Sequence, residues 1–481
     1  MQIQIKPVYW VLLTMITWGG AIIGFHLLRL DAYGINEAAA RALLIGWSVA
    51  DKIASPAVTM GIPDLRALVF IPLGIYWPGN ILAAKVFTLL ITFWAAVLLY
   101  KWHRNYAGDE AALIAAGLLL IAPLTVHQVD SLGAGPYLLL TFALGRWIDH
   151  AYRSKNRLFG GWFFLQLIVV MFAVSLHPIG LAYPLSLLWE WRKNPLDKRH
   201  QKYMYIGIVI AVIFILLVGM GWITQSWLGN PYTVFTDNIL GVEPSEDFYI
   251  VIGALLGILM LVALAVDSLR LARDLIGRML ILGVAFGLFA ADATWVFISL
   301  AALLYCGIPL LIRLNQSLGK TGFMGQRGIF FIVLFLVALL FMQGDKAYRI
   351  AVERNALSPV DKLILTLSTE LEDVPEDENI FVMSEWPGRT MLAIKRPSMP
   401  LPPPYKDKET LFRNIKGATH LVFDPYEEDN KPLADQLFSV SGATKTISLQ
   451  EGGAIIRIID PQELLEEQTP SESTSPEPST D

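Results

Sequence analysis

The feature that most limits what this chain can fold into is a series of long apolar runs, with the charges confined almost entirely to the stretches between them. A hydrocarbon core of roughly 30 Å takes about 20 helical residues to cross. Runs of that order lie near 9–30, 79–100, 203–223, 248–266 and 328–343. Shorter or paired runs lie near 111–127, 136–150, 160–176, 179–190, 279–291 and 293–312, so about eleven crossings are expected. Only 16% of the 481 residues are charged and the mean hydropathy is +0.51, too little charge to cover a water-facing surface of this size. Lipid is the expected solvent. The expected fold class is a polytopic α-helical membrane protein with a small C-terminal α/β domain.

Orientation follows from where lysine and arginine fall in the short loops. With the N-terminus in the cytoplasm, KWHRNYAGDE, the stretch from Arg146 to Arg157, WRKNPLDKRHQK, DSLRLARDLIGR and the stretch from Arg313 to Arg327 all become cytoplasmic, and each is basic. The intervening outer segments HQVDSLGAGP and SWLGNPYTVFTDNILGVEPSEDF contain neither lysine nor arginine. The run from Tyr9 to Leu30 lacks a small-residue cleavage site and reads as an uncleaved anchor. A net charge of −5 without a basic cluster outside these loops gives no indication of a nucleic-acid partner. The single Cys306, inside an apolar run, excludes an intramolecular disulfide and a cysteine metal cluster. No HExxH, Walker or dinucleotide-binding pattern occurs, so metalloprotease and ATP-driven readings have no support.

The expected organisation is a membrane domain over 1–345 that includes a first outer loop, 29–78, then an outward-facing α/β domain over 346–462 and an acidic Ser/Thr/Pro tail over 463–481. In the outer loop, INEAAARALLIGWSVADKI repeats its apolar positions at three- and four-residue spacing, which predicts an amphipathic helix on the membrane surface. Ser358 followed by Pro359 marks a helix start leading into KLILTLSTEL. IFVMSEW, THLVFDP and AIIRIID read as short buried strands separated by connections such as RPSMPLPPPYKDKE. The tail cannot bury a core and is expected to be disordered.

LDAYGINEAAARALL, GIPDL followed by YWPGNILAAKVFTLL, LLYKWHRNYAGDEAALIAAGLLLIAPLTVHQVDS and SLHPIGLAYPLSLL occur in an order that resembles the GT-C glycosyltransferase superfamily. In particular it resembles bacterial relatives of protein O-mannosyltransferases and of the lipid A aminoarabinose transferase. It is strongest over residues 8–190. It implies an inner-membrane enzyme that moves a sugar from a polyprenyl-phosphate donor to a glycan, lipid or protein acceptor in the periplasm or at the cell surface, with inversion. No cofactor is required on this resemblance, and a divalent cation is compatible with it. An acid in the first outer loop would serve as base, and cations would meet the phosphate leaving group.

The resemblance nominates residues one by one. An Asp-Glu pair of the family aligns with Asn36 and Glu37, and Asn36 cannot accept a proton. The expected catalytic acids are therefore Glu37, or Asp31 five residues earlier, with Asn36 serving alternatively as an ordinary helix N-cap. The family's cation before the proline of its second loop helix is replaced by Gly61-Ile62-Pro63, which leaves Arg41, Arg66 and Lys85 as candidate donor contacts. Lys85 alternatively extends to the headgroups. His127 and Asp130, at the outer end of a crossing, and His177, in a tight outer turn before Pro178, complete the candidate set, while Asp292 reads as an ordinary outer-turn carboxylate. Two departures from the family pattern, at Asn36 and before Pro63, keep a second reading open: a catalytically degenerate relative that binds a lipid-linked saccharide or acts in an assembly. A transporter is a third reading, weakened by the lack of midplane charges and of broken helices in two matching halves.

Overall fold

The computed structural model describes residues 7–51, 64–154, 161–193, 274–287 and 292–320, and in the C-terminal part 357–375, 380–402, 411, 415, 417–427, 430–438, 444–450 and 453–458. The expected crossings near 203–223, 248–266 and 328–343, and the tail, lie outside these residues. The chain divides into two units. The first comprises Met1–Asp31, Arg41–Ala54 and Met60–Ala356; the second comprises Ala32–Ala40, Ser55–Thr59 and Leu357–Asp481.

In the first unit the helices are α1 (Pro7–Leu27), α2 (Glu37–Asp51, whose first turn falls in the second unit), α3 (Arg66–Tyr76), α4 (Ile81–Ala107), α5 (Asp109–Ile121), α6 (Pro123–Asp130), α7 (Ala134–Ser154) and α8 (Gly161–Leu176). A 3₁₀ turn (Pro178–Leu181) follows, then α9 (Ala182–Lys193), α10 (Leu275–Gly287) and α11 (Ala293–Lys320). Among the described residues one helix, Ile81–Asn105, is long and apolar enough to cross a membrane. The pair formed by α5 and α6 qualifies jointly, bent by 52°. Pro123 is the first residue of α6 and cannot donate to the preceding turn, which accounts for the break. Trp10, Met15, Trp18, Trp94, Phe164 and Ile168 project outward from α1, α4 and α8. Exposed aromatic and aliphatic side chains on this scale suit contact with lipid tails and are penalised in water, which supports a membrane location. α2 differs from the surface helix predicted for it. Ala39, Ala40, Ala42, Leu43 and Trp47 are all buried, and Gly46 lies so close to Phe70 and Ala67 of α3 that a Cβ there would clash. Its apolar stripe is consumed by protein packing.

The second unit carries α12 (Pro359–Glu370), β1 (Val382–Ser384), α13 (Pro387–Ile394), β2 (Ser398–Pro400), β3 (His420–Phe423), α14 (Lys431–Phe438), β4 (Thr444–Gln450) and β5 (Gly453–Ile458). Ser358 caps α12 by accepting from Asp361 N–H at 3.1 Å, as the Ser-Pro start predicts. The strands form one sheet in the order β2-β1-β3-β5-β4, parallel across β2-β1-β3 and antiparallel from β3 onward. Leu363 and Leu367 of α12 cover one face with Val382, Val422 and Ile455, while Leu433 and Leu437 of α14 cover the other with Leu421, Phe423 and Ile456.

Two titratable groups tie this sheet to pH in opposite senses. Burial, then the neighbouring Glu427 carboxyl, pushes Glu385 up to about 7 against the donors Asp424 N–H and Asn430 Nδ2. Burial, then the charge of Arg457, pushes His420 down to about 4. A raised carboxyl stabilises the fold in its protonated form, a contribution lost as pH rises from about 4.5 to about 7. A depressed imidazole stabilises while neutral and loses its contribution as pH falls from about 6.5 to about 4. The two oppose each other in one window, so wild-type protection of β1 and β3 amides varies little across it. Glu385→Gln exposes the histidine dependence, with protection rising with pH, and His420→Asn exposes the reverse slope. Hydrogen exchange on the full-length protein from pH 4.5 to 7 checks both, and parallel slopes in the two variants would contradict the assignment.

Candidate active site

Three of the nominated residues meet in one network within the first unit. Lys85, in the second turn of α4, has no solvent exposure, and its Nζ donates to Asp130 Oδ1 at 2.8 Å and to the Asp31 carbonyl at 3.1 Å. Asp130 closes α6, and the same Oδ1 accepts the backbone N–H of Arg29 at 2.9 Å. Arg29 also forks onto the Asp31 carboxylate through Nε and Nη2 at 3.0 and 2.9 Å. The Asp31 side chain remains 44% exposed, whereas the lysine is sealed. A buried ammonium is tolerated only where a carboxylate and further acceptors replace its water, and Asp130 with the Asp31 carbonyl supply that here.

The turn that presents Asp130 is itself held tightly. Leu132 has φ +53°, a left-handed conformation costly for a residue with a branched side chain. Arg66, buried in α3, donates Nη1 to the Leu132 carbonyl at 2.6 Å while its Nε and Nη2 engage Asp64 at 2.7 and 2.5 Å. Gln128 completes the turn: its carbonyl accepts from Gly133 N–H at 2.7 Å and its side chain accepts from Gly135 N–H at 3.2 Å. A Cβ at position 133 would sit 2.2 Å from Gln128 Oε1, so a larger residue there displaces the Gln128 amide from the turn. Arg66, nominated as a donor contact, thus fastens the turn that carries Asp130.

The remaining nominees fall elsewhere. His127, on α6, has an exposed side chain, and Arg41 is half-buried on α2. His177 accepts Ile179 N–H at Nδ1 and faces Asp292 through Nε2 at 3.2 Å, pairing two outer-turn residues read separately from sequence. In the second unit, Asn36 accepts Ala39 N–H at 2.7 Å, the N-cap role weighed above. The Glu37 carboxylate accepts the N–H groups of Gly388 and Arg389 at 2.9 and 3.0 Å. Sequence reasoning missed Arg29 and Gln128 as members of the network. Arg29 carried a signal, being the cation two residues before Asp31; Gln128 carried none. Among the described residues no group of three histidine, cysteine or acidic side chains is placed to hold a metal ion.

No known family profile matches the sequence, and no curated protein matches it. Solved structures do. ArnT from Cupriavidus metallidurans in the apo state superposes with a TM-score of 0.54 at 13% identity, over 93% of this chain and 97% of that one. ArnT bound to undecaprenyl phosphate gives 0.54 at 12% identity, over 95% and 99%. The archaeal oligosaccharyltransferase AglB from Archaeoglobus fulgidus, in complex with an inhibitory peptide and a dolichol-phosphate, gives 0.54 at 14% identity, over 94% of this chain and 74% of that one.

The chain shares the fold of ArnT and AglB. In this fold the Arg29–Asp31–Lys85–Asp130 network gathers four charged residues beside the start of the apolar helix α4. A further AglB structure from the same archaeon, with a TM-score of 0.51 at 13% identity, is a complex with zinc and sulfate.

Proposed function

We propose that this GT-C chain is a glycosyltransferase that moves a sugar from a polyprenyl-phosphate donor to a hydroxyl-bearing glycan, lipid or protein acceptor, with inversion at the anomeric carbon. The observation that carries the reading is the sealed Lys85–Asp130 pair next to the partly exposed Asp31, in a fold shared with proteins bound to undecaprenyl phosphate and dolichol-phosphate. In the proposed step the acceptor oxygen attacks the anomeric carbon, the bond to the phosphate oxygen breaks, and the acceptor proton passes to the Asp31 carboxylate. The lipid phosphate leaves as an anion, which Lys85 and Arg29 stabilise where charge accumulates. Asp130 holds Lys85 until the donor arrives, and Arg66 maintains the turn that presents Asp130. The proposed setting is a bacterial inner membrane, with the C-terminal domain on the periplasmic side, as the distribution of basic loops supports.

A second reading, a degenerate relative that only binds lipid-linked saccharide, is favoured by the N-cap role of Asn36 and by the engagement of Glu37 with backbone N–H groups. One experiment separates the two. Full-length protein in nanodiscs is given radiolabelled undecaprenyl-phosphate sugars and membrane lipid, glycan or peptide acceptors. The expected result is a labelled product of inverted configuration together with released undecaprenyl phosphate. Saturable binding of the donor across the panel without turnover would establish the binding protein instead.

A further inference from the structure

The helix α13 begins without a cap of its own. Trp386 stands at its N-cap position and makes no side-chain hydrogen bond to the first turn, and Pro387 has no N–H to offer. The first donors of the helix are therefore the N–H groups of Gly388 and Arg389, and both are received by Glu37, 351 and 352 residues away in sequence. A carboxylate is the group best suited to that position, because the unsatisfied N–H groups and the helix dipole both favour negative charge.

A second carboxylate works in the opposite direction. Asp361, 5% exposed in α12, accepts Gly34 N–H at 3.2 Å and Arg389 Nη2 at 2.6 Å on one oxygen, and the Ser358 hydroxyl at 2.7 Å on the other. Gly34 has φ +83°, which lets the chain turn so that its N–H meets Asp361. Ile35, between Gly34 and the N-cap Asn36, is buried. Each side thus contributes a carboxylate to the other's N–H groups, and Arg389 takes part in both halves, through its backbone N–H to Glu37 and its guanidinium to Asp361.

We propose that Glu37 is a positioning residue, one half of a reciprocal clamp with Asp361 and Arg389 that fastens residues 34–37 of the first outer loop to α12 and α13 of the C-terminal domain. The clamp fixes the start of α2 and, through the chain, the segment that follows Asp31. Through chain connectivity the clamp limits the freedom of the stretch next to the proposed base. The clamp itself stands on geometry alone; only its effect on catalysis rests on the proposed transfer reaction.

Hydrogen exchange on the full-length protein in nanodiscs tests the clamp without reference to activity. Glu37→Ala is expected to raise exchange in peptides covering both 33–40 and 386–392 by roughly tenfold, as loss of charge-assisted hydrogen bonds to a helix start implies. Asp361→Ala is expected to raise it in the same two peptides, and the double variant by no more than the larger single effect. A Glu37→Ala protein with unchanged exchange at 386–392, or an Asp361→Ala protein with unchanged exchange at 33–40, overturns the proposal. The kinetic arm uses the isosteric variants. Glu37→Gln and Asp361→Asn should reduce transfer by similar factors and leave the acidic limb of the pH–rate profile in place. Loss of that limb in Glu37→Gln alone, with Asp361→Asn fully active, makes Glu37 the base and also overturns the proposal. Absence of transfer in the wild type would count against the glycosyltransferase reading while leaving the exchange result to judge the clamp.

Discussion

Lys85→Met in the full-length protein should lose transfer and donor binding together, and should unfold well below the wild type. The ammonium is fully buried and its carboxylate partner is only 16% exposed, so removing it strands the Asp130 charge in a site with little water. Breaking such a pair from one side costs about 3–5 kcal/mol, a shift readily seen as a lowered unfolding midpoint by scanning fluorimetry in detergent. The double variant Lys85→Met/Asp130→Asn removes both charges and keeps an acceptor for Arg29 N–H. It should recover most of the lost stability and none of the transfer. Recovery of both would mean that the pair serves packing alone and that the donor phosphate is held elsewhere.

Asp31→Asn makes the contrasting case: turnover should fall by about 10²–10⁴-fold, the range a general base supplies, while binding of undecaprenyl-phosphate sugar persists. The Asp31 carbonyl that accepts from Lys85 belongs to the backbone and survives the substitution. The partly exposed side chain contributes little to packing, and its ion pair with Arg29 is of the exposed kind worth at most about 1 kcal/mol. Kinetics with saturating donor, alongside an equilibrium binding measurement, separate the two effects. An Asp31→Asn enzyme with wild-type turnover would move the proton-accepting role to another carboxylate, with Asp130 the nearest candidate in the network.

The elements whose pattern was read from sequence correctly are those in which local and tertiary preferences coincide. α2 follows from its three- and four-residue spacing, α12 from Ser358-Pro359, and β1, β3 and β5 from short apolar runs that end up buried. β2 and β4 were passed over for physical reasons. β2 is a three-residue edge strand containing Pro400, tolerable only because an edge leaves one side of its ladder unpaired. β4, at the opposite edge, carries Lys, Thr, Ser and Gln and is interrupted by a register shift between Thr446 and Ser448. The site was legible in part. Asp31, Lys85 and Asp130 were nominated singly: Asp31 as a substitute for the base missing at Asn36, Lys85 as a remaining cation for the donor, and Asp130 as an ionisable group at the end of a crossing. Nothing local states that residues 54 and 45 positions apart share hydrogen bonds with one ammonium.

What the sequence determined by itself is the solvent and the general architecture: the distribution of apolar runs and basic loops depends only on transfer free energies and on charge, which are properties of short segments. Tertiary structure alone decided what each charge does. Lys85 was open to being a headgroup-seeking lysine and is sealed against Asp130; Arg66 was a candidate phosphate contact and holds the Leu132 carbonyl; Glu37 was a candidate base and caps a helix that starts at Pro387. The reason is that a charged side chain's role depends on the partners that replace its water. Those partners here come from segments far apart in the chain, and only folding brings them within hydrogen-bond reach.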